Sequence, residues 1–362
     1  MRNSEKRLLW VIPLLFLMTA PAIADPPTPP PQPASGPGGT DYLHRAVVTN
    51  GPYWAAGHEG QSRYQYYTYE PADPSPQDAP VVLFLHGWKG LQPRSYGAWI
   101  EHIVRKGYTV VWVQYQDNAL TLPWLFAGYA LAAWRDSLNR LDTEPDHVRP
   151  SRDYKGHFNT AMVGHSAGGY LSMVLAAMSV DSANGIPRPY AVVAVEPGGL
   201  GIIPKASFSK IDDATYIVLV VGNHDDVACK STAVYLWNEI IRVRDANKDF
   251  LLVRSDEHGS PSLTAGHYFP PTMGFTADAT GLDALDFFVT FKLSVGAPNC
   301  AFKRQDCEYA VGHGRSEQVD MGTWSDGRPV APMVRVEDPN TLATACEDPV
   351  PFGCGSASAS PH

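Results

Sequence analysis

Short unbroken apolar runs, each closed by glycine or a polar turn, alternate along the chain with longer stretches whose apolar positions recur every three or four residues. The first pattern suits a strand covered on both faces, the second a helix packed along one side. Strands are predicted in SRYQYYTYEP (62–71), APVVLFLHG (79–87), YTVVWVQYQ (108–116), the run before GHSAGG, YAVVAVEPGG (190–199), TYIVLVVGNHDD (215–226) and FLLVRSDEHG (250–259). Helices are predicted in SYGAWIEHIVRKGY (95–108, capped by Ser95), PWLFAGYALAAWRDSLNRL (123–141, opened by Pro123), the stretch after GHSAGG, STAVYLWNEIIRVRDA (231–246) and GLDALDFFVTFKLSVG (281–296). Strands alternating with helices through most of the chain imply right-handed crossovers, and hence an α/β fold with a mostly parallel central sheet and helices on both faces. Ligands of such sheets gather outside the carboxyl ends of the strands.

The two ends of the chain read differently. Arg2, Lys6 and Arg7 precede the apolar LLWVIPLLFLMTA, and AIA precedes Asp25, the order of a secretory signal peptide in residues 1–24. Its apolar core, broken by Pro13, is short for a membrane span, and an uncleaved anchor is the alternative. DPPTPPPQPASGPGGT (25–40) has the composition of an extended, poorly ordered linker, so the domain is expected to begin near Tyr42. Beyond Gly296 the periodicity fades, and 297–362 reads as an irregular extension pinned by disulfides. Five cysteines stand at 229, 300, 307, 346 and 354. Two short bridges, Cys300 to Cys307 and Cys346 to Cys354, with Cys229 alone, is the simplest pairing, although spacing cannot establish connectivity.

Export would remove three of 28 Lys and Arg and one of 37 Asp and Glu, leaving 25 and 36 and a balance of −11. Such a balance disfavours nucleic acid or an anionic membrane surface as partner, and no basic patch interrupts it. After signal cleavage no stable membrane anchor is expected, and the protein would be secreted or periplasmic.

The candidate chemistry centres on TAMVGHSAGGYLSMVLAAM (160–178), where Ser166 stands between Gly164 and Gly168 at a strand-to-helix turn. This is the arrangement of a nucleophile elbow, a turn sharp enough to strain the serine backbone and lift its hydroxyl off the sheet edge. The N–H of Ala167, opening the following helix, then points to where an oxyanion would form. A second donor is expected from Trp88, after His86-Gly87 at the end of another strand. Serine needs a base, and the base an orienting carboxylate, in the chain order serine, acid, histidine. VVGNHDDVA offers Asp225 and Asp226; Asp225 is favoured and Asp226 suits a cap for the next helix. RSDEHGSPSLTAGHYFPP offers His258 and His267, between which local sequence does not decide. Glu196, in VEPGG, is expected on the same rim as a carboxylate ordering a turn. A metal site from His224, Asp225 and Asp226, or from His258 and His267, is the competing reading, but their spacing matches no HExxH or similar ligand motif, and neither metal nor cofactor is called for.

Together LFLHGW, VGHSAGG, VVGNHDDV and GHYFPP resemble the α/β-hydrolase superfamily, within the group of bacterial cutinases, polyester hydrolases and related secreted esterases. The resemblance spans Tyr42 to about Gly296 and implies a catalytic domain at 41–296. It also separates the histidines. In that group the catalytic histidine sits in a stretch like GHYFPP, which implies His267 as base and leaves His258 as the alternative. The extension beyond 296 departs from the group.

The expected activity is hydrolysis of a carboxylic ester, small or polymeric, through an acyl-enzyme on Ser166. The twenty residues between Val195 and Tyr216 leave no room for a large lid, so an open cleft is expected. An acyltransferase on the same triad, or a binding protein that keeps the fold without turnover, are the other readings.

Overall fold

The computed structural model describes residues 25–272 and 281–345. The apolar runs form the middle of the molecule. Strands β3 (Val81–Leu85), β4 (Thr109–Val113), β5 (Thr160–His165), β6 (Ala191–Val195), β7 (Tyr216–Gly222) and β8 (Lys248–Val253) are parallel neighbours, and every residue of β3 to β6 is buried. With β1 (Ala46–Trp54), β2 (Gln65–Ala72) and β9 (Val334–Arg335), the sheet among the described residues has nine strands in the order β1-β2-β4-β3-β5-β6-β7-β8-β9. β2 and β9 run antiparallel to their neighbours.

Helices cover both faces. On one, α1 (Gly97–Arg105) and α5 (Lys292–Lys303) bury Trp99, Ile103, Leu293 and Val295 against Phe84, Val163 and Val193. On the other, α2 (Phe126–Thr143), α3 (Ala167–Met178) and α4 (Ser231–Glu239) bury Ala130, Trp134, Leu171 and Leu236 against Leu83, Met162 and Leu219. The chain passes from β3 to β4 on one side and returns to β5 on the other, so the order reverses at the carboxyl ends of β3 and β5. Clefts in open sheets form where the strand order reverses. No helix of the described residues is long and apolar enough to cross a membrane.

Several local expectations differ. β1 carries no apolar run because it is the exposed edge of a hairpin with β2, and sequence periodicity does not mark it. Ser95 does not cap α1. It lies in a 3₁₀ turn, Pro93–Tyr96, and its carbonyl accepts from the N–H of Thr272. α4 stops at Glu239, seven residues short of the expected end, where Val243 N–H closes a turn on Ile240. The last of the expected helices contains a π turn, Asp286–Phe291, and continues through Gly296 to Lys303, so the expected domain boundary falls inside it.

The Pro/Gly-rich segment 25–40 is not loose. The Pro37 carbonyl meets buried His102 Nε2 at 2.7 Å, Lys106 Nζ donates to Gly36 O at 2.8 Å, and Ser260 N–H donates to Pro27 O at 2.8 Å. Composition reports only the absence of a core in the segment, whereas these bonds are supplied by side-chain and backbone donors from elsewhere.

The region after Gly296 is equally integral. Cys300 and Cys307 are bonded. Cys229 is disulfide-bonded too, which corrects the expectation that it stands alone; Cys346 and Cys354, and the signal segment 1–24, lie outside the described residues. Met321, Trp324, Val330 and Met333 are buried with α1 and α5. Fully buried Asp249, in β8, gathers the extension by accepting from Gln318 Nε2 (2.8 Å), His313 N–H (2.9 Å) and Arg335 Nε (3.1 Å). Removing the carboxylate leaves Gln318 Nε2 with Ala310 O and Arg335 with Glu337, but strips the His313 N–H of its acceptor and the extension of its shared anchor, a loss of about 1–3 kcal/mol. Asp249→Ala is therefore expected to lower the unfolding free energy by that amount in urea titration; a loss under about 1 kcal/mol would show that the extension is not held through β8.

Candidate active site

The turn after β5 is built by close approach. A Cβ at Gly164 would fall 2.2 Å from Gly168 O, and one at Gly168 would fall 2.1 Å from Leu85 O, so neither position admits a side chain. Without those side chains α3 docks directly on the ends of β3 and β5. Ser166 is left at φ 55° and ψ −123°, a region that L-residues rarely occupy. Its N–H donates to Val195 O (2.9 Å) and its carbonyl accepts from Gly198 N–H (3.0 Å), which hold the strained residue from both sides.

Three side chains meet there. His267 Nε2 lies 2.9 Å from Ser166 Oγ, and His267 Nδ1 lies 3.0 Å from Asp225 Oδ2. With the Nδ1 proton donated to the carboxylate, Nε2 is free to accept the serine proton. The other oxygen of Asp225, Oδ1, accepts from the N–H groups of Val227 and Ala228, both at 2.9 Å. Burial alone would raise the Asp225 pKa. The charge and hydrogen bond of His267, a side-chain bond from Glu196 and the Val227 N–H outweigh it and hold the carboxyl well below the usual range.

The two loops that carry Asp225 and His267 are joined through their backbones. His224 N–H donates to Ala265 O (3.0 Å), and residues 224 and 266 form an isolated parallel bridge. His267 thus reaches Asp225 although thirteen residues separate it from the end of β8. His258, the alternative base, lies elsewhere, with Nε2 2.7 Å from Asp326 Oδ2 and Nδ1 3.0 Å from an Arg328 nitrogen. Asp226 is exposed, and α4 starts after Lys230 with no side-chain cap, so Asp226 does not fill the capping role expected for it.

Trp88 follows β3, its ring 5.3 Å from Phe126 in an edge contact. The preceding backbone runs against the serine, since a Cβ at Gly87 would lie 3.2 Å from Ser166 Cβ. A buried chain of bonds anchors this stretch: Gly87 N–H donates to Tyr96 Oη (2.9 Å), Tyr96 Oη meets His165 Nδ1 (2.9 Å), and His165 Nε2 meets His267 O (2.9 Å). His165 must be neutral to accept at Nδ1 and donate at Nε2. Sequence reasoning missed Tyr96 and His165. The only signal was a histidine inside VGHSAGG, which looks the same whether it packs or bonds.

Glu196 sits not on the rim but under it, fully buried, with Oε1 accepting from Gly222 N–H at 2.6 Å. Among the described residues Glu196, Asp225 and His267 are the group whose ligand atoms lie within 4.8 Å of one another. Asp225 Oδ2 and His267 Nδ1 already engage each other, and His224, part of the competing metal reading, is exposed and bonded through Nδ1 to Ser255 Oγ (3.0 Å). Two clefts of about 460 and 660 Å³, beside Met178 and Lys205 and beside Arg152 and Arg188, are not lined by Ser166.

No family model and no curated protein matches the chain. Among solved structures, the chain is similar to a C6-C4 SN3 inhibited esterase B from Lactobacillus rhamnosis, with 16% identity, a TM-score of 0.51, and 74% of this chain and 91% of that one covered. A second structure of that esterase, inhibited by a C4-C4 SN3 tributyrin phosphonate, aligns at 16% identity with a TM-score of 0.46, covering 65% and 82%. At such identity the likeness is one of fold. With six contiguous parallel strands and helices on both faces, the chain has an α/β-hydrolase fold.

Burial sets the acid stability. It pushes His86 down to about 4 and His165 and His102 to about 3, so the native chain keeps all three neutral. Burial also pushes the carboxyls of Glu196 and Asp286 well above their usual range, and these hold protons in the native state. Between about pH 6.5 and 4.5 the unfolded chain gains three histidine protons that the native chain lacks, while the native chain keeps two carboxyl protons that the unfolded one has lost. Three against two leaves stability falling as pH drops, by about 1.4 kcal/mol per unit, and falling more steeply once unfolded carboxyls protonate too. Urea midpoints at about pH 5.5, 5.0 and 4.5 are expected to fall along that curve; a midpoint that rises as pH drops through this window would mean that the histidines are charged in the native state.

Proposed function

We propose that the protein is a serine hydrolase that cleaves carboxylic esters through an acyl-enzyme. The reading rests on one observation, the continuous contact from Asp225 through His267 to the hydroxyl of a serine in strained backbone. In this reading Ser166 Oγ attacks the acyl carbon as its proton passes to His267 Nε2, and Asp225 stabilises the imidazolium. The N–H groups of Trp88 and Ala167 receive the oxyanion. The tetrahedral intermediate collapses, His267 protonates the leaving alcohol, and water, deprotonated by the same histidine, releases the acid and restores Ser166. The shared fold belongs to an inhibited esterase, which supports an ester over other acyl compounds.

The cutinase-like specialisation and the export route are part of the same proposal. Residues 1–24 are read as a signal peptide, the fold through the end of α5 at Lys303 as the catalytic domain and the chain after it as an extension whose described part braces it, with the protein secreted or periplasmic. The Cys300–Cys307 bridge supports an oxidising compartment. Between β6 and β7 the connection holds a single short 3₁₀ turn, Phe208–Lys210, which supports a site with no lid.

Turnover of p-nitrophenyl butyrate is expected to fall at least about 10³-fold in Ser166→Ala and about 10²- to 10⁴-fold in Asp225→Asn, whose amide favours the wrong imidazole tautomer. A fluorophosphonate should label the wild type and not Ser166→Ala; equal turnover by the two would remove the assigned nucleophile. A panel of esters of increasing acyl length, together with an insoluble polyester film, tests the unlidded site. Retained activity on long chains and on the film is expected, and a steep fall beyond short acyl groups would contradict it.

A further inference from the structure

Glu196 is a buried acid that the proposed chemistry leaves without a part. It follows β6 at φ 47°, a backbone strained for any residue but glycine, and its side chain is fully covered. The position is not incidental, because space has been cleared for it. A Cβ at residue 222 would lie 2.7 Å from Glu196 Oε1 and 2.2 Å from Ala265 O, so only glycine lets the Gly222 N–H approach the carboxyl to 2.6 Å. The second oxygen, Oε2, is buried and meets no donor from the rest of the protein. Beside it stand Asp225 and His267, within the 4.8 Å cluster.

Two buried carboxyls in contact cannot both be ionised without a cation between them. The proton has a preferred owner. Asp225 accepts from two backbone N–H groups and from His267, whereas Glu196 accepts from one N–H. Ionised Asp225 is thus the better solvated of the two. A proton on Glu196 Oε2 also turns an unsatisfied acceptor into a donor aimed at Asp225.

We infer that Glu196 is a positioning residue, a neutral carboxyl that bridges Gly222 N–H and the Asp225 carboxylate and holds Asp225 directed at His267. The inference rests on the serine-hydrolase reading. Burial first, and then the Asp225 charge, push the Glu196 carboxyl well above its usual range, in agreement with a neutral group. The titratable groups that face it are Asp225, His267 and Lys230, and the Lys230 ammonium is turned to Asn223 O at 3.4 Å.

Three variants and one spectrum test it. Glu196→Gln keeps an acceptor for Gly222 N–H and a donor for Asp225, whereas Glu196→Ala removes both. Glu196→Ala is expected to lose about 10- to 100-fold in kcat with KM within about twofold of wild type, and Glu196→Gln to restore most of it. The acid limb of kcat/KM, which reports His267 in the free enzyme, should stay in place in Glu196→Gln, since one neutral group replaces another. If Glu196 were ionised, losing its charge would destabilise the imidazolium and move that limb to lower pH. The infrared difference between wild type and Glu196→Gln should contain the carbonyl band of a neutral carboxylic acid, a readout independent of turnover. It also decides the matter should Glu196→Ala fail to fold. Absence of the band, a shifted acid limb in Glu196→Gln, or wild-type kcat in Glu196→Ala would each overturn the inference, as would a glutamine variant as impaired as the alanine one. The third variant, Ser166→Ala, separates the two levels: if it turns over ester as fast as wild type, the serine reading fails, whatever the spectrum shows.

Discussion

Ser166 occupies a backbone conformation costing on the order of 1–3 kcal/mol, and the site exists because the surrounding packing leaves it no other. α3 sits against the ends of β3 and β5 closely enough that the Gly168 backbone touches the Leu85 carbonyl. Relaxing the turn would pull the helix from a sheet face whose apolar side chains are buried all along its length. Burying one such side chain contributes about 1.5–3 kcal/mol, so a few residues of α3 outweigh the strain. The hydroxyl is presented by core packing, and the loops only meet it.

Those loops are fastened to one another within the buried interior. One chain of bonds runs from Gly87 through Tyr96 and His165 to the carbonyl of His267, and another from Gly222 through Glu196 toward Asp225. Each bond replaces water that would otherwise solvate a buried polar group, and an unpaired partner would cost about 1–3 kcal/mol. The result is that four strand ends, contributed by β3, β5, β6 and β7, and the long loop after β8 share a single geometry. Neutral His165 fits this arrangement, since a charge there would stand beside His267, whose own cation forms during the proposed reaction.

The chain ends brace the same loop from outside. Asp256 pairs with Leu263 and closes off the turn that carries His258, ahead of His267 in the same connection, and Asp256 Oδ2 accepts from Trp324 Nε1 (3.1 Å) and Ala331 N–H (2.8 Å). His258 is drawn to Asp326 and Arg328, away from the serine. The extension therefore helps decide which histidine of the loop faces inward. Segment 25–40 adds a further clasp through Pro27 and Ser260.

Much of this is legible in the sequence. The parallel sheet followed from unbroken apolar runs, because a strand covered on both faces has no polar side to show, and the serine turn followed from glycines whose missing side chains have a steric meaning. Ser166 and Asp225 could be picked out by their place after particular strands, since a short turn gives the chain few choices. His267 could not be chosen over His258 on local grounds. Its reach depends on a backbone bridge between residues 224 and 266 and on the pull of a distant extension, and neither leaves a mark within the loop. The same holds for β1, for the ordered segment 25–40 and for the depth of Glu196. Periodicity records how a residue relates to its neighbours in the chain, whereas burial, pairing and protonation are set by residues that folding brings from far away.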